Sequence, residues 1–342
     1  MKRQNYLFEQ IVDYHNIRLA FLKAIRGNRS SPSVIKYYQN INKNLASLRD
    51  KLVTLHCGWG GYHSFVIRDP KLRTISTAPF EQRIMHHAIM NILEPILERP
   101  LIYHSYACRK GKGTHAAVLY AFGQCKTKPC FLKLDIRKYF DSIDHAILKT
   151  QLRRLIKDTR VIALLDGVID SYETTPGKGV PIGNLTSQFF ANMYLACLDH
   201  FILEQLRPSA YCRYMDDFVL WAASQKQLKS MFAQVNEYVN KNINLTLKPP
   251  VFGKTAAGLP FLGFLVKQKG IYLLQKSKRR VTGRMVEITA LLYQGNITEE
   301  KAAERIRSVF AAIALARTNH FRKLLCEKGE RSGEKNPLAI TA

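Results

Sequence analysis

Acidic side chains are in short supply. Asp and Glu together number 26 against 52 Lys and Arg, so the 342-residue chain carries +26 at neutral pH, with a pI near 9.9. The excess of base runs through every part of the sequence and points to a polyanionic partner; the plain alternative is a basic surface kept for solubility. Paired cysteines are also missing. Seven Cys (57, 108, 125, 130, 197, 212 and 326) are scattered without CxxC spacing. That excludes a zinc ribbon and a disulfide framework, and leaves buried thiols in a reducing compartment. No apolar run reaches bilayer length, and Met1-Lys-Arg-Gln-Asn5 leads into a helix rather than an apolar leader. A cytoplasmic protein without membrane partners is expected. No stretch repeats. The glycines near Gly111 lack GxxxxGK[ST] spacing, so they do not make a P-loop.

What is plentiful is apolar residue, 46% of the chain, enough for two or three lobes. The pattern centres on Ala210-Tyr-Cys-Arg-Tyr-Met-Asp-Asp-Phe-Val-Leu-Trp221. Runs of aromatic and large apolar residues flank Asp216 and Asp217, which predicts strand, tight turn, strand. A bare Asp-Asp is most often a solvated turn. Held rigidly by two apolar strands, the like charges repel and need a cation, and oxygen donors favour Mg²⁺. Ser105-Tyr-Ala-Cys-Arg-Lys-Gly-Lys-Gly-Thr-His115 is a basic glycine-rich loop before a helix, a phosphate site or simply a basic turn. Asp144 reads as the N-cap of a helix over His145–Lys157.

Tyr214-Met-Asp-Asp217 resembles the Tyr-x-Asp-Asp box of reverse transcriptases. The resemblance implies a third carboxylate on an upstream strand. Asp135 supplies it, closing the apolar run Cys130-Phe-Leu-Lys-Leu-Asp135 in a segment similar to the family's motif A. Thr174–Tyr194 resembles motif B, Asn244–Lys248 takes the place of motif D, and Phe261–Val266 resembles the family's strand under the primer end. Motif B in most of the family reads Gln-Gly, then Ser-Pro. Here stand Ile182-Gly183 and Ser187-Gln188, a form similar to the reverse transcriptases of diversity-generating retroelements, as are Ser105–Arg109 and Gly113–His115. The resemblance spans roughly residues 60 to 275.

It implies an RNA-directed DNA polymerase in which Asp135, Asp216 and Asp217, with the Ile136 carbonyl, hold two Mg²⁺ ions. Phe140 is the ring that excludes a 2′-hydroxyl. Lys71 and Arg73 grip the dNTP phosphates, and Ile182, Gly183 and Gln188 face the nucleotide. Arg109, Lys112, Tyr214, Lys276, Lys278, Arg279 and Arg280 touch nucleic acid. Lys248 or Lys254 assists the departing pyrophosphate. Partners are template RNA, the RNA–cDNA duplex, dNTPs and a small basic helical accessory protein. The implied task is copying a template-repeat RNA with errors at adenines. A reverse transcriptase of a group II intron or retron is the alternative, opposed by Ser187-Gln188 and by the lack of a maturase-like extension. A binding module with a decayed site is the other class, opposed by the intact carboxylates.

The expected fold is α+β, a right hand: helical segment 1–60, fingers 61–130, palm 131–275 on an antiparallel sheet with a helical insertion at 145–180, helical thumb 276–326, and a disordered tail 327–342. Helices are expected over Tyr6–Arg26, Val34–Leu55, Phe80–Glu94 with Pro95 ending or kinking it, Asp158–Tyr172, Phe189–Leu206, Lys278–Gln294 and Glu299–Thr318. Strands are expected over His63–Arg68, Leu72–Ser76 and Asn244–Lys248.

Overall fold

The architecture is mixed helix and sheet, seen in a computed structural model that describes residues 3–68 and 72–331. At the N-terminus lie α1 (Phe8–Ile11), α2 (Tyr14–Ala24), α3 (Pro32–Gln39) and α4 (Ile41–Val53). Two expected helices are each divided. Asp13 caps α2, its carboxylate accepting from the His15 and Asn16 amides, which ends α1 beforehand. Asn40, at φ −126°, separates α3 from α4. Then come the strands β1 (His63–Arg68) and β2 (Leu72–Thr77), paired antiparallel; the expected turn Asp69–Lys71 lies outside the described residues. α5 (Phe80–Leu97) runs through Pro95. A proline this near the C-terminal end removes one helical hydrogen bond and leaves the rest intact.

α6 (Thr114–Thr127), β3 (Cys130–Asp135), α7 (Tyr139–Ser142), α8 (His145–Leu155) and α9 (Thr159–Asp170) follow. Asp144 does cap α8, accepting from the Ile147 amide at 3.1 Å. The helix expected over Phe189–Leu206 is α10 (Leu185–Tyr194), a break at Leu195, α11 (Ala196–Phe201) and one π turn over Ile202–Leu206. β4 (Ala210–Tyr214), β5 (Asp217–Ala222), α12 (Gln225–Ile243) and β6 (Val251–Lys254) complete the central part. The sheet has the order β4-β5-β3-β6.

Asn244–Lys248 is not a ladder strand. It runs beside the end of β3 through single bonds, Arg137 N to Thr246 O and Lys248 N to Asp135 O, each 2.8 Å. Phe261–Val266 is not one strand either. Leu262 (φ 49°) and Gly263 (φ 88°) turn the chain between β7 (Leu259–Phe261) and β8 (Phe264–Lys267), which pairs on with β9 (Gly270–Leu273). α13 (Gln275–Tyr293), α14 (Glu299–Ala312) and α15 (Asn319–Arg331) close the chain. α15 continues past Glu327, where a disordered tail was expected.

Period-two alternation divides the central sheet between two cores. Leu132, Leu134, Phe218, Leu220 and Tyr211 join the larger core, with α5, α8, α10 and α12. Phe131, Val219, Trp221 and Cys212 join a second core built with α6, β7–β9 and α13–α14. Both faces are therefore covered, except where Lys133, Asp135 and Asp217 stand on the second face near one end of the sheet. Among the cysteines, Cys57, Cys125, Cys130 and Cys212 are buried, but Cys108 is exposed. Among the described residues no helix is long and apolar enough to cross a membrane.

Candidate active site

The Tyr214–Asp217 pair closes the β4–β5 hairpin, leaving Met215 and Asp216 as a two-residue turn. Hairpins this tight need a positive φ, and here Met215 adopts it at 57°. That conformation costs a non-glycine residue roughly 1–2 kcal/mol. Across the sheet Asp135 is the register partner of Asp217. The Ile136 amide donates to the Asp216 carbonyl at 3.3 Å. Three carboxylates thus meet at one end of the sheet, from two strands and a turn.

Each outer carboxylate has a lysine. Lys248 Nζ donates to Asp135 Oδ1, and Lys133 Nζ lies 3.1 Å from Asp217 Oδ2. Lys133 is two residues before Asp135 on β3, so strand alternation puts both on one face. Burial pushes the Asp217 carboxyl up to about 7, against the pull of Lys133 and with further push from Asp135 and Asp216. Asp216 is raised by burial and then by Asp135, with Lys248 and Arg73 opposing. Arg73, on β2, is therefore within electrostatic reach of the Asp-Asp turn.

A second loop borders this end. Ser76 N donates to the Ile182 carbonyl at 2.8 Å, stitching β2 to the segment before α10. Gly183 sits at φ +126°, and a Cβ there would come within 2.9 Å of the Ile75 methyl; only glycine fits. Gln188 is exposed and Ile182 half-buried. Asn184 accepts from the Ala78 amide at 3.1 Å. The Phe140 carbonyl accepts from Val180 N at 2.9 Å, and its half-buried ring meets Tyr139 edge-on at 5.7 Å.

The family comparison agrees with this geometry. Residues 67–266 match the model described as reverse transcriptase (RNA-dependent DNA polymerase). The chain belongs to the reverse transcriptase family. This reverse transcriptase is 25% identical over 285 residues to Protein YkfC of Escherichia coli (strain K12), covering 67% of this chain and 74% of that protein. It is 28% identical over 140 residues to the group II intron-encoded protein LtrA of Lactococcus lactis subsp. cremoris, covering 39% of this chain and 23% of LtrA. A structure of telomerase from Candida albicans with a telomeric RNA fragment aligns with TM-score 0.47 at 12% identity, over 78% of this chain and 53% of that one. The arrangement is α+β, with the four-stranded β4-β5-β3-β6 sheet carrying the carboxylates.

The basic residues named from sequence divide. Arg109 turns inward, its Nη1 donating to the Ile102 carbonyl (2.8 Å) and the Ser105 carbonyl (3.0 Å), with Glu98 3.4 Å from Nε. It therefore builds its own loop. Lys112 Nζ sits 3.3 Å from the Tyr103 ring centre. The Tyr214 hydroxyl accepts from Thr114 Oγ1 at 3.1 Å. Lys276, Arg279 and Arg280 are exposed on α13, Lys278 partly so. Arg280, with Arg284, lines a groove of about 440 Å³ between α13–α14 and the start of α6 at Thr114 and His115. Lys71 lies outside the described residues.

Among the described residues no three His, Cys, Asp or Glu side chains form a ready-made metal cluster. The donors nonetheless suit a hard divalent cation. Asp217 Oδ1 is buried without a hydrogen-bond partner, and burial and mutual repulsion raise both turn carboxyls, a penalty that a cation would relieve.

Sequence reasoning missed His86, on α5. It is 1% exposed, with its Nδ1 3.2 Å from Thr186 Oγ1 and its ring 5.4 Å from Trp59. Its apolar neighbours in sequence, Met85 and Ala88, were the available signal. Burial pushes it down to about 3 from 6.5. Between those values the unfolded chain binds the extra proton, so stability is complete above pH 6.5 and falls as pH drops. From pH 7 to pH 5 the loss is about 2 kcal/mol, at ~1.4 kcal/mol per pH unit. Urea denaturation at both pH values should show this extra loss in the parent and not in His86→Phe.

Proposed function

We propose that this chain is an RNA-directed DNA polymerase whose reaction centre is Asp135, Asp216 and Asp217. The observation that carries the reading is the Asp135–Asp217 pairing across β3 and β5, with Asp216 in the adjoining turn. Carboxylates are gathered on one end of a buried sheet at an electrostatic cost that a binding site explains and a scaffold does not. The three Asp would hold Mg²⁺, with the Ile136 carbonyl beside them. When bound, Mg²⁺ supplies the charge that acidifies a primer 3′-hydroxyl and neutralises phosphate oxygens. Arg73, with Lys71, grips the triphosphate from the β1–β2 side. Lys248 stands at Asp135 and is placed to donate a proton to pyrophosphate. Lys254 is exposed at the far end of β6, paired with Cys130 rather than Asp135, which supports Lys248 over Lys254 for this role. Phe140 bars the 2′-hydroxyl of an rNTP. Lys112, Tyr214 and the exposed face of α13 contact the nucleic-acid backbone.

The finer reading is a diversity-generating enzyme, working in the cytoplasm with a small basic helical accessory protein and making errors at template adenines. Ile182-Gly183 and Ser187-Gln188 support it. The group II intron relatives support the second reading, an intron-type reverse transcriptase. Sequencing cDNA made on an RNA template, with and without the accessory protein, separates them. Errors massed at adenines favour the first, and even, accurate copying favours the second. The Ile182 carbonyl is tied to Ser76 N, so Ile182→Gln changes only the side chain. On the first reading it restores an amide beside the base pair and lowers adenine misincorporation by roughly 3–10-fold; an unchanged error spectrum removes Ile182 from the fidelity argument.

A further inference from the structure

Arg213 lies on β4, one residue before Tyr214, and alternation turns it to the face opposite the carboxylates, beside Tyr211. Its exposure is 0%. A full charge so placed must be paired and its donors satisfied. Nε donates to Asp199 Oδ1 and Oδ2 at 2.8 and 3.0 Å. Nη2 donates to Asp199 Oδ2 at 2.6 Å and to the Asn192 carbonyl at 3.1 Å. Nη1 reaches away from this pair, to Asn192 Oδ1 at 3.3 Å and to the Met215 carbonyl at 3.0 Å. The Tyr211 hydroxyl donates to Asp199 Oδ1 at 2.7 Å, and Asn192 Nδ2 donates to the Ala107 carbonyl at 2.7 Å. The backbone is engaged as well: Arg213 N donates to the His104 carbonyl at 3.0 Å, and Tyr106 N donates to the Arg213 carbonyl at 2.9 Å.

One guanidinium therefore joins α10, α11 and the carbonyl of the residue at φ 57° in the Asp-Asp turn, while the Arg213 backbone and the Asn192 amide join the loop before α6. We propose that Arg213 is a positioning residue for the reaction centre: by holding the Met215 carbonyl it keeps the strained turn closed and Asp216 and Asp217 aimed at Asp135. Asp199 alone balances the charge, so a purely structural pair has no need of the bond to the turn. Only the planar fork of an arginine spans Asp199, Asn192 and Met215 together; a lysine ammonium satisfies Asp199 and lets the turn go.

The inference rests on the polymerase reading for its activity arm alone. The test compares the parent with Arg213→Lys and Asn192→Ala by amide hydrogen exchange, thermal unfolding and steady-state primer extension. In Arg213→Lys, exchange at the Ile136 amide and at residues 214–217 speeds up roughly tenfold while β3 amides at 131–134 keep their rates. The kcat falls roughly tenfold with the dNTP KM within about twofold. Adding Met215→Gly, which takes a positive φ without strain, recovers about threefold or more of the lost kcat. Asn192→Ala keeps the ion pair and loosens Nη1, so it shows the same pattern at roughly threefold and decides the matter if Arg213→Lys does not fold. A folded variant with parental exchange and kcat at the turn overturns the proposal, as does exchange that rises equally over the whole sheet. A parent that binds primer and template and makes no DNA defeats the polymerase reading instead, and the exchange data still judge Arg213.

Discussion

Asp216→Asn lowers primer extension by about 10³-fold or more, and the variant melts no lower than the parent. Both halves follow from one arrangement. Asp216 is half-buried beside Asp135, and loss of solvent first, then that neighbour, raises its carboxyl. Removing its charge takes a needed oxygen donor from the cation site and at the same time relieves repulsion within the fold. The thermal midpoint should rise by about 1–3 °C. Primer extension and differential scanning fluorimetry on the same preparation check the pair of results. A loss of activity together with a fall in melting temperature would make Asp216 a structural residue. Asp135→Asn should match it in activity, but its Lys248 partner then loses its carboxylate, so no gain in stability is expected there.

The second large effect concerns the sugar. Phe140→Val is expected to shrink the preference for dNTP over rNTP, measured as the ratio of kcat/KM values, by about 10²-fold. The backbone at this position is fixed on both sides. The Phe140 carbonyl holds Val180 N, and the buried Tyr139 donates its hydroxyl to the Ala191 carbonyl. Replacing the ring therefore opens space without moving the loop, and a 2′-hydroxyl gains room that it lacked. The kcat/KM for dNTP itself should change by less than about tenfold. If rNTPs remain excluded in Phe140→Val, another group makes the discrimination.

The strands that carry the carboxylates were legible because their apolar runs are long and uninterrupted: Cys130–Leu134 and Phe218–Trp221 could scarcely be anything but buried strands. Asp144 as a cap was legible because the signal is local. Breaks at Asn40 and Leu195 were not, since apolar spacing continues across both and only tertiary packing chooses the interruption. The β7–β9 strands are three or four residues each, too short for alternation to show. At the site, the β1–β2 hairpin that carries Arg73 was legible from its strand pattern, whereas the pairing of Lys248 with Asp135 depends on how residues 244–248 lie against β3 and was not. Lys133 went unseen although two-residue spacing before Asp135 places it on the same strand face. Arg213 went unseen although an arginine between Cys212 and Tyr214, inside a strand otherwise apolar, had to find a buried acid. Asp199, fourteen residues earlier on a helix, is visible as that acid only once β4 is laid against α11. The inward bonds of Arg109 to the Ile102 and Ser105 carbonyls were not legible either, because a basic residue in a glycine-rich loop carries no local sign of which carbonyls it will close upon.

The decisive measurement is single-turnover extension of a DNA primer annealed to RNA, with the purified full chain, dNTPs, and Mg²⁺ either present or chelated. Template-directed DNA with Mg²⁺, none without it, and none from Asp216→Asn under either condition is the expected outcome. DNA synthesis that survives both chelation and loss of Asp216 would show that the three carboxylates at the end of the sheet are not where the chemistry happens.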